Sequence, residues 1–536
     1  MNSNYEEEFV IKGPKGGYVL EPKGMGYAFF QNMSRNSNLV AQVDGVSGVK
    51  DTYGNLLERC ISTALRMRQI GIKPKDVITM CSLNHLNSCV PVIAALFVGA
   101  VPACLDPLLS LIDIVHLLKQ VTPKLVFVDQ KSIELIENAL GQAEVETNIV
   151  MFGESEKYME FREFVTENQN GDFLPYEIGD NRETAFIMFS SGTTGKPKGI
   201  CLSHRGLLGQ GNNLIGLLFE TTLIYASYYW ISSVSILFAA VQSGSCRVIV
   251  PPFVPRTFWK LVDRFSVTCI FLAPTQTIAI LKNGRPKDTN TAHLHGILIG
   301  GGSLSAQNLK ELRELFPGTY SSITFGQTEC SGLSLDFNRS DPKEVALMLT
   351  KPGSSGLLCP DFSCKIVDPD SGKVLGPNQK GEICFKGDCV MNGYYNLDSS
   401  EAWYADGWMR SGDIGYYDED RCFYVVDRIK EMLKFNSYHI APSFIENTLM
   451  THSKIRMAVV IGIPSDEHGD LPLGVVCLKD GSEDVTEEDI VKYVEERIDD
   501  RYRLRGGVKF VNTFPLTVSG KIRKNYLKQL VLSEQI

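Results

Sequence analysis

Short apolar, β-rich runs alternate along this chain with stretches whose apolar residues recur at helical spacing. Lys124-Leu-Val-Phe-Val128, Thr147-Asn-Ile-Val-Met151, Cys246-Arg-Val-Ile-Val250 and Cys269-Ile-Phe-Leu272 read as buried strands, because continuous runs of this kind suit a sheet covered on both faces. Between such runs, Ser110 to Lys119 and Arg256 to Phe265 have helical spacing. The most apolar stretch, Val90 to Leu105, contains Pro91, Gly99 and Pro102. It is too short to span a bilayer and predicts a buried helix that turns into a core strand. Strand–helix alternation of this kind predicts an α/β fold with layered, mainly parallel sheets. From Asp361 the pattern changes to strands joined by tight turns: Cys364-Lys-Ile-Val367, the turn Asp368-Pro-Asp-Ser-Gly372, then Glu382-Ile-Cys-Phe-Lys386. A small β-barrel-like subdomain over about 355–427 is expected there. After Asp427 a compact α+β segment follows, with Val459-Val-Ile461, Gly474-Val-Val-Cys-Leu478 and a helix from Glu487 to Asp500. A chain of 536 residues exceeds what one core organises. The expected division is therefore a large domain over 1–427 and a small one over 428–536. No repeat of 20 to 50 residues recurs and no low-complexity segment stands out.

One segment narrows the chemistry. The apolar run Thr184-Ala-Phe-Ile-Met-Phe189 feeds Ser190-Ser-Gly-Thr-Thr-Gly-Lys-Pro-Lys198. Glycines let backbone N–H groups turn toward a polyphosphate, hydroxyls add donors and lysines neutralise charge. It is not a Walker A loop, which needs a glycine where Ser190 stands and a Ser or Thr where Pro197 stands. Nor does a helix follow at once: Gly199-Ile-Cys-Leu202 reads as a short strand and Ser203 as the N-cap of the next helix. As a plain turn, a Gly/Ser/Thr-rich loop is the commoner case.

This loop resembles the signature of the adenylate-forming superfamily, which includes acyl-CoA synthetases, amino-acid-activating domains and beetle luciferases. Further motifs of that family follow in order. Phe325-Gly-Gln-Thr-Glu329 matches its Tyr-Gly-x-Thr-Glu element, and Ser411-Gly-Asp413 after Gly407-Trp408 its ribose motif. Asp427-Arg-Ile-Lys430 matches the hinge motif, and Pro515-Leu-Thr-Val-Ser-Gly-Lys521 the terminal lysine motif. The similarity covers essentially the whole chain, and 353–521 looks closest to beetle luciferases and insect acyl-CoA synthetases.

The resemblance implies ATP, Mg²⁺ and coenzyme A as co-substrates, and an AMP-binding domain followed by a mobile C-terminal domain. The active site would lie in the cleft between them, with a hinge at 428–431. Ser190, Ser191, Gly192, Thr193, Thr194, Gly195 and Lys198 would cradle the β- and γ-phosphates. Thr328 would donate to the α-phosphate and Glu329 would hold Mg²⁺, which favours few carboxylates plus phosphate oxygens. Asp413 suits both ribose hydroxyls, since one carboxylate accepts two hydrogen bonds, and Arg428 would reach the ribose or phosphate. Phe325 offers an aromatic face to adenine beside Gly326. Gly300, Gly301 and Gly302 would allow close backbone approach to adenine and the acyl carbonyl, or form a strand-end turn. Lys521 would bridge carboxylate and α-phosphate in the first step and then leave by domain rotation. Lys430 is either the pivot of that rotation or a solvated loop charge.

Besides Phe325, which stands where relatives usually have tyrosine and lacks its hydroxyl, two positions depart from the family pattern. In Ser227-Tyr-Tyr-Trp-Ile-Ser-Ser233, Trp230 stands where most relatives carry histidine. Its indole would gate the acyl tunnel or cap a shorter substrate beside Tyr229. Ile231 falls where amino-acid-activating relatives place an aspartate for the substrate amine, which disfavours an amino acid. Ser331, Gly332 and Gly302 leave pocket volume for an aliphatic or aryl carboxylate. The second departure is Ser437, in Lys434-Phe-Asn-Ser-Tyr438, where relatives have glycine in the loop lining the pantetheine channel; thioester formation is less secure than adenylation.

The expected activity is an acid:CoA ligase acting on a medium- or long-chain fatty acid. A luciferase-like oxygenase and a catalytically weakened nucleotide- or acyl-binding protein remain as alternatives. A serine hydrolase fails for want of a Gly-x-Ser-x-Gly elbow. Net charge −9 and pI near 5.6 argue against nucleic-acid or anionic-membrane partners. Fourteen cysteines without a Cys-x-x-Cys pair, and no signal peptide, suit a reducing compartment. His293-x-His295 lacks a third ligand and reads as a solvated helix-flank pair, so no structural metal is expected. Glu534-Gln535-Ile536 is not the Ser-Lys-Leu peroxisomal address, so cytoplasm is the expected location, and a monomer or weak dimer the expected state.

Overall fold

The computed structural model describes residues 8–165, 173–190, 197–215, 220–436, 438–482, 484–516 and 522–536. Two mainly parallel sheets form the body of the large domain. In one, Val77–Cys81 lies between Val101–Pro102 and Leu125–Asp129, with Asn148–Phe152 and Met159–Glu160 beyond, all parallel. In the other, Thr221–Ile224, Cys246–Ile249, Cys269–Leu272, Gly296–Ile299 and Tyr320–Ile323 run parallel, and Val40–Asp44 joins beside Cys246–Ile249. Every residue of the helix Val90–Val98 is buried. Such all-round burial explains why that segment is apolar on every face. It packs with Phe29, Phe186 and Phe238 in the main core. Ser110 caps the helix Leu111–Val121 through the Asp113 amide at 3.2 Å. Ser203 caps the helix His204–Ile215 through the Gly206 amide at 3.0 Å.

The barrel-like subdomain is an antiparallel sheet of Phe362–Val367, Gly381–Gly387, Met409–Tyr417 and Phe423–Arg428, with Val374–Leu375 on its flank. Its edge is completed by Ile11–Lys12, paired with Cys364 and Ser363. That strand comes from far outside 355–427, and two residues carry too little periodicity to be read in advance.

The small C-terminal domain has its own core, built on Ile440, Ile445, Leu449, Val476, Ile490 and Val494. Its strands Ile455–Ser465 and Gly469–Leu478 form one long hairpin, longer than expected because Pro464 and Pro472 look like strand breakers in the sequence. The expected helix from Glu487 to Asp500 ends at Glu495. Asp499 and Asp500 are poor helix formers, and the chain instead enters a short 3₁₀ turn, Asp500–Tyr502. Asp427 accepts from the Ser443 amide at 3.0 Å, capping the helix Pro442–Met450 across the expected boundary. His293 and His295 are exposed in the connection before Gly296–Ile299, not beside a helix. No helix among the described residues is long and apolar enough to cross a membrane.

Candidate functional site

A cavity of about 500 Å³ opens where the second parallel sheet, the barrel-like subdomain and the C-terminal segment meet. That volume suits a small ligand. One side is polar, lined by Ser190, Thr328, Glu329, Ser411 and Arg428. The other is mainly apolar, with Leu214, Ile236, Val250, Phe253, Phe271 and Leu298. Gly300 and Gly301 lie at the carboxyl end of the strand Gly296–Ile299. There an open parallel sheet typically receives its ligand.

Strand pairing places the polar groups. Ser190 ends Thr184–Ser190 and stands opposite Lys198, the first residue of the antiparallel partner Lys198–Ser203. The Lys198 ammonium lies 4.8 Å from the Tyr394 ring centroid, a cation–π contact, and does not itself line the cavity. Thr328 opens a 3₁₀ turn, Thr328–Cys330, and the Met391 amide holds the Glu329 carbonyl at 2.8 Å. Glycines allow the turn's flanks to close. A Cβ on Gly326 would sit 2.4 Å from the Gly332 carbonyl oxygen. Gly332 itself has φ +134°, and a Cβ there would meet Ser235 Oγ at 2.8 Å.

Asp413 pairs with Arg428 across neighbouring strands, their charged groups 3.4 Å apart. The Gln327 amide donates to the Asp413 carboxylate and to the Ser411 carbonyl at 3.0 Å. Asp413 is buried. Burial pushes its carboxyl up to about 6, against the pull of Arg428 and Gln327; Glu329 and Glu431 push the same way as burial.

Of the residues singled out in the sequence, Ser190, Trp230, Gly300, Gly301, Gly326, Thr328, Glu329, Gly332 and Arg428 line this one cavity. Asp413 stands behind Arg428. Phe325 stacks on Phe385 with centroids 6.2 Å apart. Tyr229 and Ser331 are buried and do not line the cavity. Tyr229 instead packs between Phe189 and Trp230. Gly302, Lys430 and Lys434 are exposed and also lie outside the lining. Ser191, Gly192, Thr193, Thr194, Gly195, Ser437 and Lys521 fall outside the described residues. Leu516, which lines the cavity, pairs with Ile522 in an isolated bridge, so one of the two residues flanking 517–521 reaches the cavity.

The structure adds residues the sequence reading passed over. Asp106 lines the cavity and is fully buried; it accepts from Ser227 Oγ at 2.6 Å and from the Trp230 indole at 3.2 Å. Arg247, also buried, donates to the Tyr228 hydroxyl at 2.6 Å and to Gln42 at 3.0 Å. Each is a lone charge in or beside an apolar run, a signal by which it could have been singled out. Among the described residues, no three His, Cys, Asp or Glu side chains gather as a metal site. A magnesium ion carried on phosphate oxygens and held by Glu329 alone fits that donor set.

Comparisons with known proteins agree with this architecture. The family model "AMP-binding enzyme" matches residues 29–395, and "AMP-binding enzyme C-terminal domain" matches 445–521. Luciferin 4-monooxygenase of Photinus pyralis is 30% identical, over 98% of this chain and 97% of its own. Probable 4-coumarate--CoA ligase 1 of Dictyostelium discoideum is 28% identical over 97% of each. The luciferase-like enzyme from the nonluminescent Zophobas morio mealworm superposes with a TM-score of 0.76 at 35% identity. That match covers 79% of this chain and 99% of the mealworm one. This chain belongs to the AMP-binding enzyme family, the adenylate-forming enzymes among which coenzyme A ligases and luciferases are found.

Proposed function

We propose that this protein is an ATP-dependent acid:CoA ligase, forming an acyl-adenylate and then an acyl-CoA thioester on a medium- or long-chain fatty acid. The observation that carries this reading is the single cavity in which Ser190, Thr328, Glu329 and Arg428 face an apolar lobe. Joining a carboxylate to an α-phosphate brings two anions together and expels pyrophosphate, so positioning and charge neutralisation dominate. In this reading Ser190 and Lys198, with Ser191 to Gly195, hold the β- and γ-phosphates, and Thr328 donates to the α-phosphate. Asp413 accepts from the ribose hydroxyls and Arg428 balances the charge. Glu329 would hold Mg²⁺, which supplies electrostatic stabilisation of the phosphates when bound. Lys430 follows Arg428 in the short 3₁₀ turn Ile429–Glu431, a place where few dihedrals need change for the small domain to turn and bring coenzyme A in past Lys434.

The test is a panel of acids scored by carboxylate-dependent pyrophosphate release, repeated with coenzyme A. Pyrophosphate and a thioester from medium or long fatty acids are expected. Pyrophosphate without thioester would overturn the ligase in favour of an oxygenase acting on an acyl-adenylate, the reading that the luciferase likeness favours. Neither product would leave a nucleotide- or acyl-binding protein.

The Asp413 carboxyl also predicts a pH dependence. Only the ionised form offers acceptors to both ribose hydroxyls, and it is lost as pH falls through about 6. Between pH 7 and pH 5, kcat/KM for ATP is expected to fall about tenfold, the ratio of ionised fractions around such a value. Asp413→Asn, which cannot ionise, should be weaker throughout and flat across that window. The same bend surviving in Asp413→Asn would assign it to another group.

A further inference from the structure

We propose that Asp106 is a positioning residue that fixes the Trp230 indole as a wall of the acid lobe, limiting the substrate to medium-chain or compact aryl acids. The proposal rests on the acid-activating reading above and narrows its substrate. Each of four consecutive side chains here is anchored, the first and last of them on the same carboxylate. Ser227 Oγ donates to Asp106 Oδ2 at 2.6 Å. The Tyr228 hydroxyl is gripped by Arg247 at 2.6 Å. Tyr229 stacks on Phe189, centroids 6.2 Å apart and planes within 24°. Trp230 donates its indole N–H to the same Asp106 oxygen at 3.2 Å, with the Tyr229 ring edge-on behind it, centroids 5.0 Å apart.

Asp106 is itself held. Its other oxygen accepts from the Leu108 amide at 3.0 Å, and its side chain is wholly buried. Hydrogen bonds to a buried carboxylate are stronger than neutral ones and costly to break. An indole that swings aside to admit a longer chain must abandon such a bond and leave a buried charge short of a donor. Trp230 also stands at the N-cap of the helix Ile231–Ser243, whose Ile231, Ser235 and Ile236 line the same cavity. Moving the ring therefore disturbs the lobe it bounds. The register matters as well: Phe189 precedes Ser190, so the aromatic stack joins this wall to the phosphate-side strand.

The experiment combines a chain-length panel with the emission of Trp230, taken as the difference between the wild-type spectrum and that of Trp230→Phe. In Asp106→Ala, the Trp230 emission should shift to the red. KM for octanoate should rise about tenfold, the loss expected for a charge-assisted hydrogen bond, while KM for ATP stays within about twofold. The ratio of hexadecanoate to octanoate kcat/KM should rise. In the Trp230→Phe background, adding Asp106→Ala should change the chain-length profile little, because the group through which Asp106 acts is gone. Ser227→Ala, which leaves the carboxylate in place, serves if Asp106→Ala does not fold, and should loosen the ring in the same direction by a smaller amount. An unshifted Trp230 emission, or equal effects of Asp106→Ala with and without the indole, overturns the proposal. Wild-type protein that releases no pyrophosphate with any acid overturns the ligase reading instead, and the two failures are distinct.

Discussion

Replacing Lys521 by alanine is expected to slow acyl-adenylate formation by 10²–10³-fold, on the order of 3–4 kcal/mol, as when one preorganised electrostatic partner is removed from a transition state. Conversion of preformed acyl-adenylate and coenzyme A to thioester should survive. The ammonium would neutralise charge only while the carboxylate attacks the α-phosphate, and the second half-reaction makes no demand on it. Leu516, one of the residues flanking this segment, lines the cavity that also holds Thr328 and Glu329. Single-turnover assays of each half-reaction decide the matter. Equal loss of both would show that Lys521 supports the fold or the cleft as a whole rather than one chemical step.

The second large effect concerns stability. Asp336 and Arg339 form an ion pair at 2.8 Å with side chains only 4% and 2% exposed. Ser322 Oγ bridges them, accepting from Arg339 at 2.7 Å and donating to Asp336 at 3.1 Å. The pair ties the strand Gly332–Asp336, whose first residue lines the cavity, to Tyr320–Ile323. Asp336→Ala strands a guanidinium in the interior, which typically costs about 3–5 kcal/mol. Urea denaturation followed by tryptophan emission, read on its first transition, should show a loss of that size. Replacing both partners, as Asp336→Ala with Arg339→Met, should recover much of it, because no unpaired charge then remains buried. A loss under about 1 kcal/mol for the single variant would mean that water reaches the guanidinium.

Much of the candidate site was legible because its chemistry is written in short stretches. Ser190 and Lys198 face each other across one hairpin, and Thr328 and Glu329 are neighbours, so local sequence fixes their company. Asp413 and Arg428 are likewise joined by a single strand pair. The strands and helices singled out in the large domain followed from unbroken apolar runs and helical spacing, with differences of one or two residues at their ends; in the C-terminal domain the differences were larger. The helix beginning at Glu487 stopped early where Asp499 and Asp500 intervene. The C-terminal hairpin ran through Pro464 and Pro472.

The sequence by itself determined the family and the layered α/β plan, since motifs and apolar runs are written in residues close along the chain. Only the tertiary structure decided the shape of the acid lobe. Asp106 meets Trp230 from 124 positions away, and Arg247 meets Gln42 from 205. Tyr229 turned into the packing while its neighbour Trp230 reached the cavity. Such meetings depend on sheet order and on which face of a strand or turn a side chain takes, and local pattern leaves both undetermined.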